Sequence, residues 1–294
     1  MADMIQMVVE VTIVLFMVAN LLDMGLRLDL REALAGLRNL NFVAWSLLWG
    51  YVFCPALAWL LTRLIPLDQP YAIGMIMLGM VPCAPILPLM VKKARGDLAY
   101  TGAFVLITSI VTVVYMPFAV PLLAEGFAAD SWTIGKPLLF FILVPLLAGL
   151  AIQSYAAPIT FRILPFVNIT AKFTTYFLLA LAFVVYGKGF LNAIGTHAIG
   201  IQILFYSLAS AASYLLSPGL THRQKSVLSL GMSTRNLGAA FVPLLAVPGI
   251  DERALVMVAL AVPIQFIISL FAARVFARHT QADKTVAAEI SDRS

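Results

Sequence analysis

Apolar residues run through this chain in long blocks, and the polar residues collect in short stretches between them. Nine blocks approach the roughly 20 residues a helix needs to cross ~30 Å of hydrocarbon. They lie at about 5–24, 41–64, 70–92, 98–123, 135–153, 166–187, 194–216, 225–248 and 252–276. None alternates apolar and polar residues, so a membrane β-barrel is excluded. The pattern predicts an all-α polytopic membrane protein with nine transmembrane helices in a single domain. Between the first two blocks, Leu26, Leu30, Leu34 and Leu37 recur at helical spacing with charges among them. Arg27–Asn39 therefore reads as an interfacial helix or as a plain connection. The polar tail, residues 277–294, is expected to be loosely ordered.

Two blocks are interrupted. The third carries Pro82, Pro85 and Pro88, and each proline lacks an N–H and clashes one turn back. The eighth carries Gly231, the run Ser233-Thr234-Arg235-Asn236 and Gly238. A guanidinium at bilayer depth costs ~2.5–3.5 kcal/mol on insertion scales, so Arg235 calls for a partner, a cavity or a cargo. The two interrupted blocks lie five apart, an offset that inverts the second copy relative to the first. That arrangement predicts two inverted repeats whose broken helices cross at a midplane binding site; the alternative is two unrelated proline kinks. A broken helix presents N–H groups at one half and C=O groups at the other, so the crossing attracts ions of both signs.

Composition supports the membrane reading. Of 294 residues, 62% are hydrophobic and 11% charged, with mean hydropathy +0.98; a soluble domain carries roughly 25% charged residues. The net charge of +5 does not imply nucleic acid, because the basic residues flank the blocks. Loops after odd-numbered blocks hold 13 of the 19 Lys and Arg and those after even-numbered blocks 4, with Lys172 and Arg235 inside blocks. This bias puts the N-terminus outside and the C-terminus in the cytoplasm, in a plasma or inner membrane. Met1–Gln6 has no basic n-region, so the first block is expected to be retained rather than cleaved. Cys54 and Cys83 both fall in apolar blocks and form no disulfide or metal pattern. His197, His222 and His279 sit at block ends or in loops, and no HExxH or GxSxG occurs, which argues against an intramembrane enzyme. No soluble sensor domain is appended, which argues against a receptor, and no cofactor is expected.

Four segments carry a resemblance to a known family. They are Phe16–Leu26, Val81-Pro82-Cys83 through Ala94-Arg95-Gly96-Asp97, Leu98–Leu123 and Gly231–Ala240. Together they resemble the bile acid:sodium symporter family, within a wider group that includes arsenite exporters. The resemblance implies a core domain (about 41–123 and 194–276) moving against a panel (about 5–24 and 135–187), with a small organic anion carried near the crossing of spans 3 and 8. It also implies sodium coupling, but the chain departs from that pattern. The family's Ser-Asn in the first break aligns with Leu87-Pro88, its Glu before the second with Gly231, and its Gln-Asn with Arg235-Asn236. Thr101 matches a ligand position, whereas Val105 replaces a hydroxyl. The sodium ligands are thus largely replaced.

Arg235 then has three readings: a tethered cation in place of sodium, a bidentate fork for the cargo's carboxylate, or a structural tie between broken backbone ends. Ser233, Thr234, Asn236, Thr101 and Asn20 are the accompanying site candidates. Cys83 aligns with the arsenite exporters' thiol, giving metalloid efflux as the alternative. Glu10 and Lys172, both on the panel, read as an ion pair, or Glu10 as a proton carrier or a snorkelling side chain. Asp97 reads as the cap of the helix starting at Leu98.

Overall fold

The computed structural model describes residues 2–127 and 129–291, with the side chains of residues 2, 3, 5, 6 and 282–291 left aside. The described residues are helical throughout apart from turns and one isolated bridge. In chain order the helices are α1 (Ala2–Arg27), α2 (Leu30–Leu37), α3 (Leu40–Leu48), α4 (Cys54–Leu64), α5 (Gln69–Met80), α6 (Leu87–Lys93) and α7 (Leu98–Leu123). After these come α8 (Ser131–Leu138), α9 (Val144–Tyr155), α10 (Ala157–Asn192), α11 (Ala198–Leu215), α12 (His222–Ser233), α13 (Leu237–Leu245) and α14 (Glu252–Ser291).

Two pairs are single spans joined by a π turn. Trp49–Phe53 links α3 to α4, and Leu139–Leu143 links α8 to α9. Each π turn stands just before a proline, Pro55 or Pro145, whose missing N–H leaves the preceding turn short of a donor. Counting these joined segments, seven helices among the described residues are long and apolar enough to cross a bilayer. The protein is a polytopic α-helical membrane protein.

The sequence placed several ends differently. The sixth block, expected at 166–187, belongs to a 36-residue helix beginning at Ala157; Pro158 fits its first turn, where a missing N–H costs nothing. The tail expected to be loosely ordered continues α14 to Ser291. Its Gln, Ala, Lys and Glu favour helix, and no Gly or Pro stops it. Residues 292–294, including Arg293 counted among the odd-side basic residues, lie outside the described chain.

The segment after α1 is a helix, α2, whose inward face combines Leu30 and Leu37, partly buried against the core, with Ala33 and Gly36. Leu34 is exposed, while Ala33 and Gly36 are buried. Gly36 stands against Ala103 and Gly102 against Ala33, so small residues bring α2 onto α7. The same device joins α1 to α9. A Cβ added to Gly25 would lie 2.3 Å from the Leu146 carbonyl oxygen, and one on Gly149 would lie 2.6 Å from that of Leu22.

Candidate functional site

The third and eighth apolar blocks are each two short helices with an extended link. Pro82 forces Val81 out of the helical region, and Val81 is extended at φ −72°, ψ 155°. Of the three prolines, Pro82 and Pro85 lie in the link. Pro88 does not break anything: it occupies the first turn of α6, where it needs no donor.

The second break also differs from expectation. Gly231 lies within α12 and Gly238 within α13; neither glycine is at the break. The interruption is made by polar side chains. Thr234 ends α12 in an extended conformation, with its hydroxyl returned to Leu230 O at 2.7 Å. Asn236 then caps α13, its Oδ1 accepting from Ala239 N at 3.3 Å. The two glycines serve close packing instead, Gly231 under the Phe104 ring and Gly238 against Met17.

The links meet as an antiparallel bridge between Cys83 and Arg235. Ala84 N donates to Thr234 O and Asn236 N to Pro82 O, each at 2.9 Å. Backbone groups that lipid cannot satisfy thus satisfy each other. A third element completes the arrangement: Gln265 of α14 accepts from Arg235 N at 2.6 Å and donates to Arg235 O at 3.2 Å. Sequence reasoning passed over Gln265. Its signal was an amide two residues after Pro263 within the apolar stretch 254–268 of that helix.

The Arg235 side chain turns into the protein and is 2% exposed. Its Nη1 donates to Val81 O at 2.9 Å, and Nη2 approaches Met232 Sδ at 3.5 Å. Val81 is the C-cap of α5, so the cation lies on the negative end of that half-helix. The ion pairs among the described residues do not include Arg235. Ser233 and Thr234 are buried, with hydroxyls bonded to Leu230 O. Cys83 is buried, 3.7 Å from Thr108 Oγ1, while Cys54 approaches Met232 Sδ instead. No cluster of three His, Cys, Asp or Glu able to hold a metal occurs among the described residues.

A cavity of about 700 Å³ opens beside the crossing, within the size range of small-molecule sites. One wall is α1 and α10, with Asn20, Asp23, Lys172 and Thr175; the facing wall is the first break and α7, with Pro85, Ile86, Pro88 and Thr101. The cavity therefore gathers Asn20 and Thr101 from the candidate set, while Arg235, Asn236, Ser233, Thr234 and Cys83 lie behind its wall. Asn20 Nδ2 donates to Phe16 O, Ala171 O and Thr175 Oγ1 at 2.9–3.3 Å, fixing α1 to α10. Asp23 accepts from Arg27 at 2.8 Å and from Asn168 at 3.2 Å. With Asn20 opposite Ala171 and Asp23 opposite Asn168, the helices run antiparallel and Lys172 is level with Asn20. Glu10 is ten residues, ~15 Å, farther along α1, so the expected Glu10–Lys172 pair does not form. Asp97 caps α7 as expected, accepting from Ala99 N and Tyr100 N.

Residues 12–193 match the model of the Sodium Bile acid symporter family. The chain belongs to this family. It is also 24% identical over 258 residues to a probable sodium/metabolite cotransporter, BASS3, chloroplastic, of Arabidopsis thaliana. The alignment covers 85% of this chain and 59% of that relative, so the chain spans well under two thirds of the relative's length. The family match takes in the cavity walls from α1, α7 and α10 and the first break; the second break, with Arg235, lies beyond it.

Three positions at which the resemblance implies sodium ligands, Leu87, Pro88 and Gly231, offer no side-chain oxygen. Leu87 is fully buried hydrocarbon, and Pro88 has no oxygen in its side chain. At Gly231, where the resemblance implies a carboxylate, a Cβ would lie 2.3 Å from Cε1 of Phe104. The ring occupies the volume a carboxylate would need. Thr101 keeps a side-chain oxygen at this position: its Oγ1 donates to Asp97 O at 2.9 Å, and its lone pairs stay free.

Proposed function

We propose that the protein is a secondary active transporter of a small organic anion, working by alternating access. Nine spans in two inverted repeats form a core (α3–α7 with α11–α14) and a panel (α1 with α8–α10), and cargo occupies the cavity between them. The observation that carries this reading is the position of the cavity, between a panel wall and the link of a helix broken at mid-membrane. The family name supplies a bile acid as cargo and the relative's name a metabolite, which supports a small organic solute.

The bonding pattern supports a sliding core. The breaks are bonded to each other and to Gln265, and Ser229 of α12 to Ser210 of α11 at 2.7 Å, all within the core. Asn20 and Asp23 bond α1 to α10 within the panel. Among the described residues, close contacts between the two bodies include apolar ones: Met17 against Gly238, Gly135 against Pro117, Gly189 against Val256, and Tyr186 stacked on Phe241 at 6.4 Å. Such contacts break no hydrogen bonds when they shift. The cavity lining includes Arg27, Asp29, Glu32 and Leu98, residues next to the basic-rich loops, which supports an inward-facing state in the orientation given by the positive-inside bias.

Arg235 takes the place of a coupling cation. It is permanently charged, it bonds the carbonyl end of α5, and it moves with the core. The cargo then moves without sodium, with protons as the coupled ion. Its burial disfavours the alternative in which the guanidinium grips the cargo. Asn20→Cys, labelled with a membrane-impermeant thiol reagent from each side, tests alternating access. The expected result is labelling from the basic-loop side that cargo shifts toward the opposite side; labelling from one side under every condition contradicts it.

A further inference from the structure

The cavity's charged groups are not equivalent. Asp23 is held by Arg27 and Asn168. Asp29 caps α2, accepting from the backbone N–H of Arg31 and Glu32. Lys172 alone among the cations lining the cavity makes no ion pair among the described residues. It is level with Asn20, about fifteen residues into α10, and exposed to the cavity. An ammonium carries three donors and no acceptor, so at this depth it requires acceptors from water or from a ligand.

Its neighbours cannot substitute for it. Asn20 Nδ2 is shared among three acceptors, and the Thr175 hydroxyl proton goes to Ala171 O at 2.7 Å. The facing wall offers Pro85, Ile86, Pro88 and Leu89, which present hydrocarbon. The α1–α10 wall therefore has one cation outside the ion pairs of the described residues, and the Pro85–Leu89 part of the facing wall is apolar.

We infer that Lys172 is the counter-charge for the anionic cargo, and that the site it makes accepts one negative charge and not two. The cargo's carboxylate or sulfonate lies on Lys172 and its apolar body lies against the Pro85–Leu89 link. A second negative group on the cargo meets no free cation and lies near the carboxylates of Asp23, Asp29 and Glu32. This selects against dianions by unpaired charge. The inference rests on the organic-anion reading above, and adds to it the residue that recognises the charge and the number of charges recognised.

Purified protein in liposomes is tested with a set of small monocarboxylates and monosulfonates, including cyclohexanesulfonate, and with benzene-1,3-disulfonate as a dianion of similar size. Wild type is expected to accumulate monoanions in preference to the disulfonate. Lys172→Met should raise KM roughly tenfold or more, the loss expected for one charge contact, while Lys172→Arg stays near wild type. Lys172→Cys should behave like Lys172→Met and recover after aminoethylation, which rebuilds the ammonium; Cys54 and Cys83 are buried, so the same reagent leaves wild type unchanged. This rescue is read on folded, reconstituted protein and separates charge from fold. Transport of monoanions with unchanged KM in Lys172→Met, no recovery on aminoethylation, or preference for the disulfonate overturns the site and leaves the organic-anion reading standing. Wild type that accumulates no anion of the set overturns both.

Discussion

The Arg235 guanidinium donates to the Val81 carbonyl across the crossing, Nη1 to O at 2.9 Å. Two residues 154 positions apart thereby join the tip of one broken span to the negative end of the other. The charge is compensated by backbone dipole rather than by a carboxylate. This makes the cation part of the core's architecture. Arg235→Gln removes the charge and leaves Val81 O without its donor, at ~1–3 kcal/mol for a buried group. The expected result is a lower Tm in detergent and strongly reduced transport. Arg235→Lys keeps the charge and should retain more of both; a Lys variant no better than the Gln variant contradicts the role of the charge.

Gln265 is expected to be as important to stability as Arg235, although it lies in a different span. Its amide answers both the N–H and the C=O of Arg235. Gln265→Leu leaves two buried backbone groups unpaired, each worth ~1–3 kcal/mol. Gln265→Glu retains the acceptor for the N–H and loses the donor to the C=O. Thermal melts should rank wild type above Gln265→Glu and Gln265→Leu lowest.

Gly231→Ala places a methyl 2.3 Å from the Phe104 ring, and overpacking of this kind costs ~1–3 kcal/mol. A smaller residue at 104 gives the methyl room. The double variant Gly231→Ala/Phe104→Leu should be more stable than the sum of the single effects predicts. Additive effects in a double-mutant cycle contradict the assignment of Phe104 as the group filling this volume.

At the opposite end of the core, Asp251 is held below the usual carboxylate range, first by its side-chain hydrogen bonds from Arg253. Arg253 also bonds Asp68 at 2.9 Å, tying the start of α14 to the start of α5. Because the folded pKa is depressed, the stabilisation is fully present above the unfolded value near 3.8 and is lost as pH falls through the folded value. Melts of wild type and Asp251→Asn should differ by a constant amount well above the unfolded value and converge as the pH falls below the folded value. The difference is small, because exposed pairs are screened.

Much of this was legible in the sequence. Helix α7 has the predicted limits and the predicted cap, since an Asp before a long apolar run is a local signal. The two breaks were legible as well, because proline and a buried charge are costly wherever they occur in lipid. Their exact means were not. The glycines at 231 and 238 resembled break points, but their work is to admit Phe104 and Met17, partners far away in sequence. Gln265 was missed for the same reason: its importance lies in what it meets across the core. Glu10 and Lys172 looked like a pair because both are charges in the panel, and the antiparallel register of α1 and α10 separates them.

The central claim is that a tethered guanidinium replaces the coupling sodium. The most direct measurement is the initial rate of anion uptake into proteoliposomes, with an inward sodium gradient and with an equal gradient of a large organic cation in its place. Equal rates are predicted, with no sodium concentration dependence in KM or in the maximal rate. Uptake that rises steeply with the sodium gradient would contradict the claim, whatever the fate of the Arg235 variants.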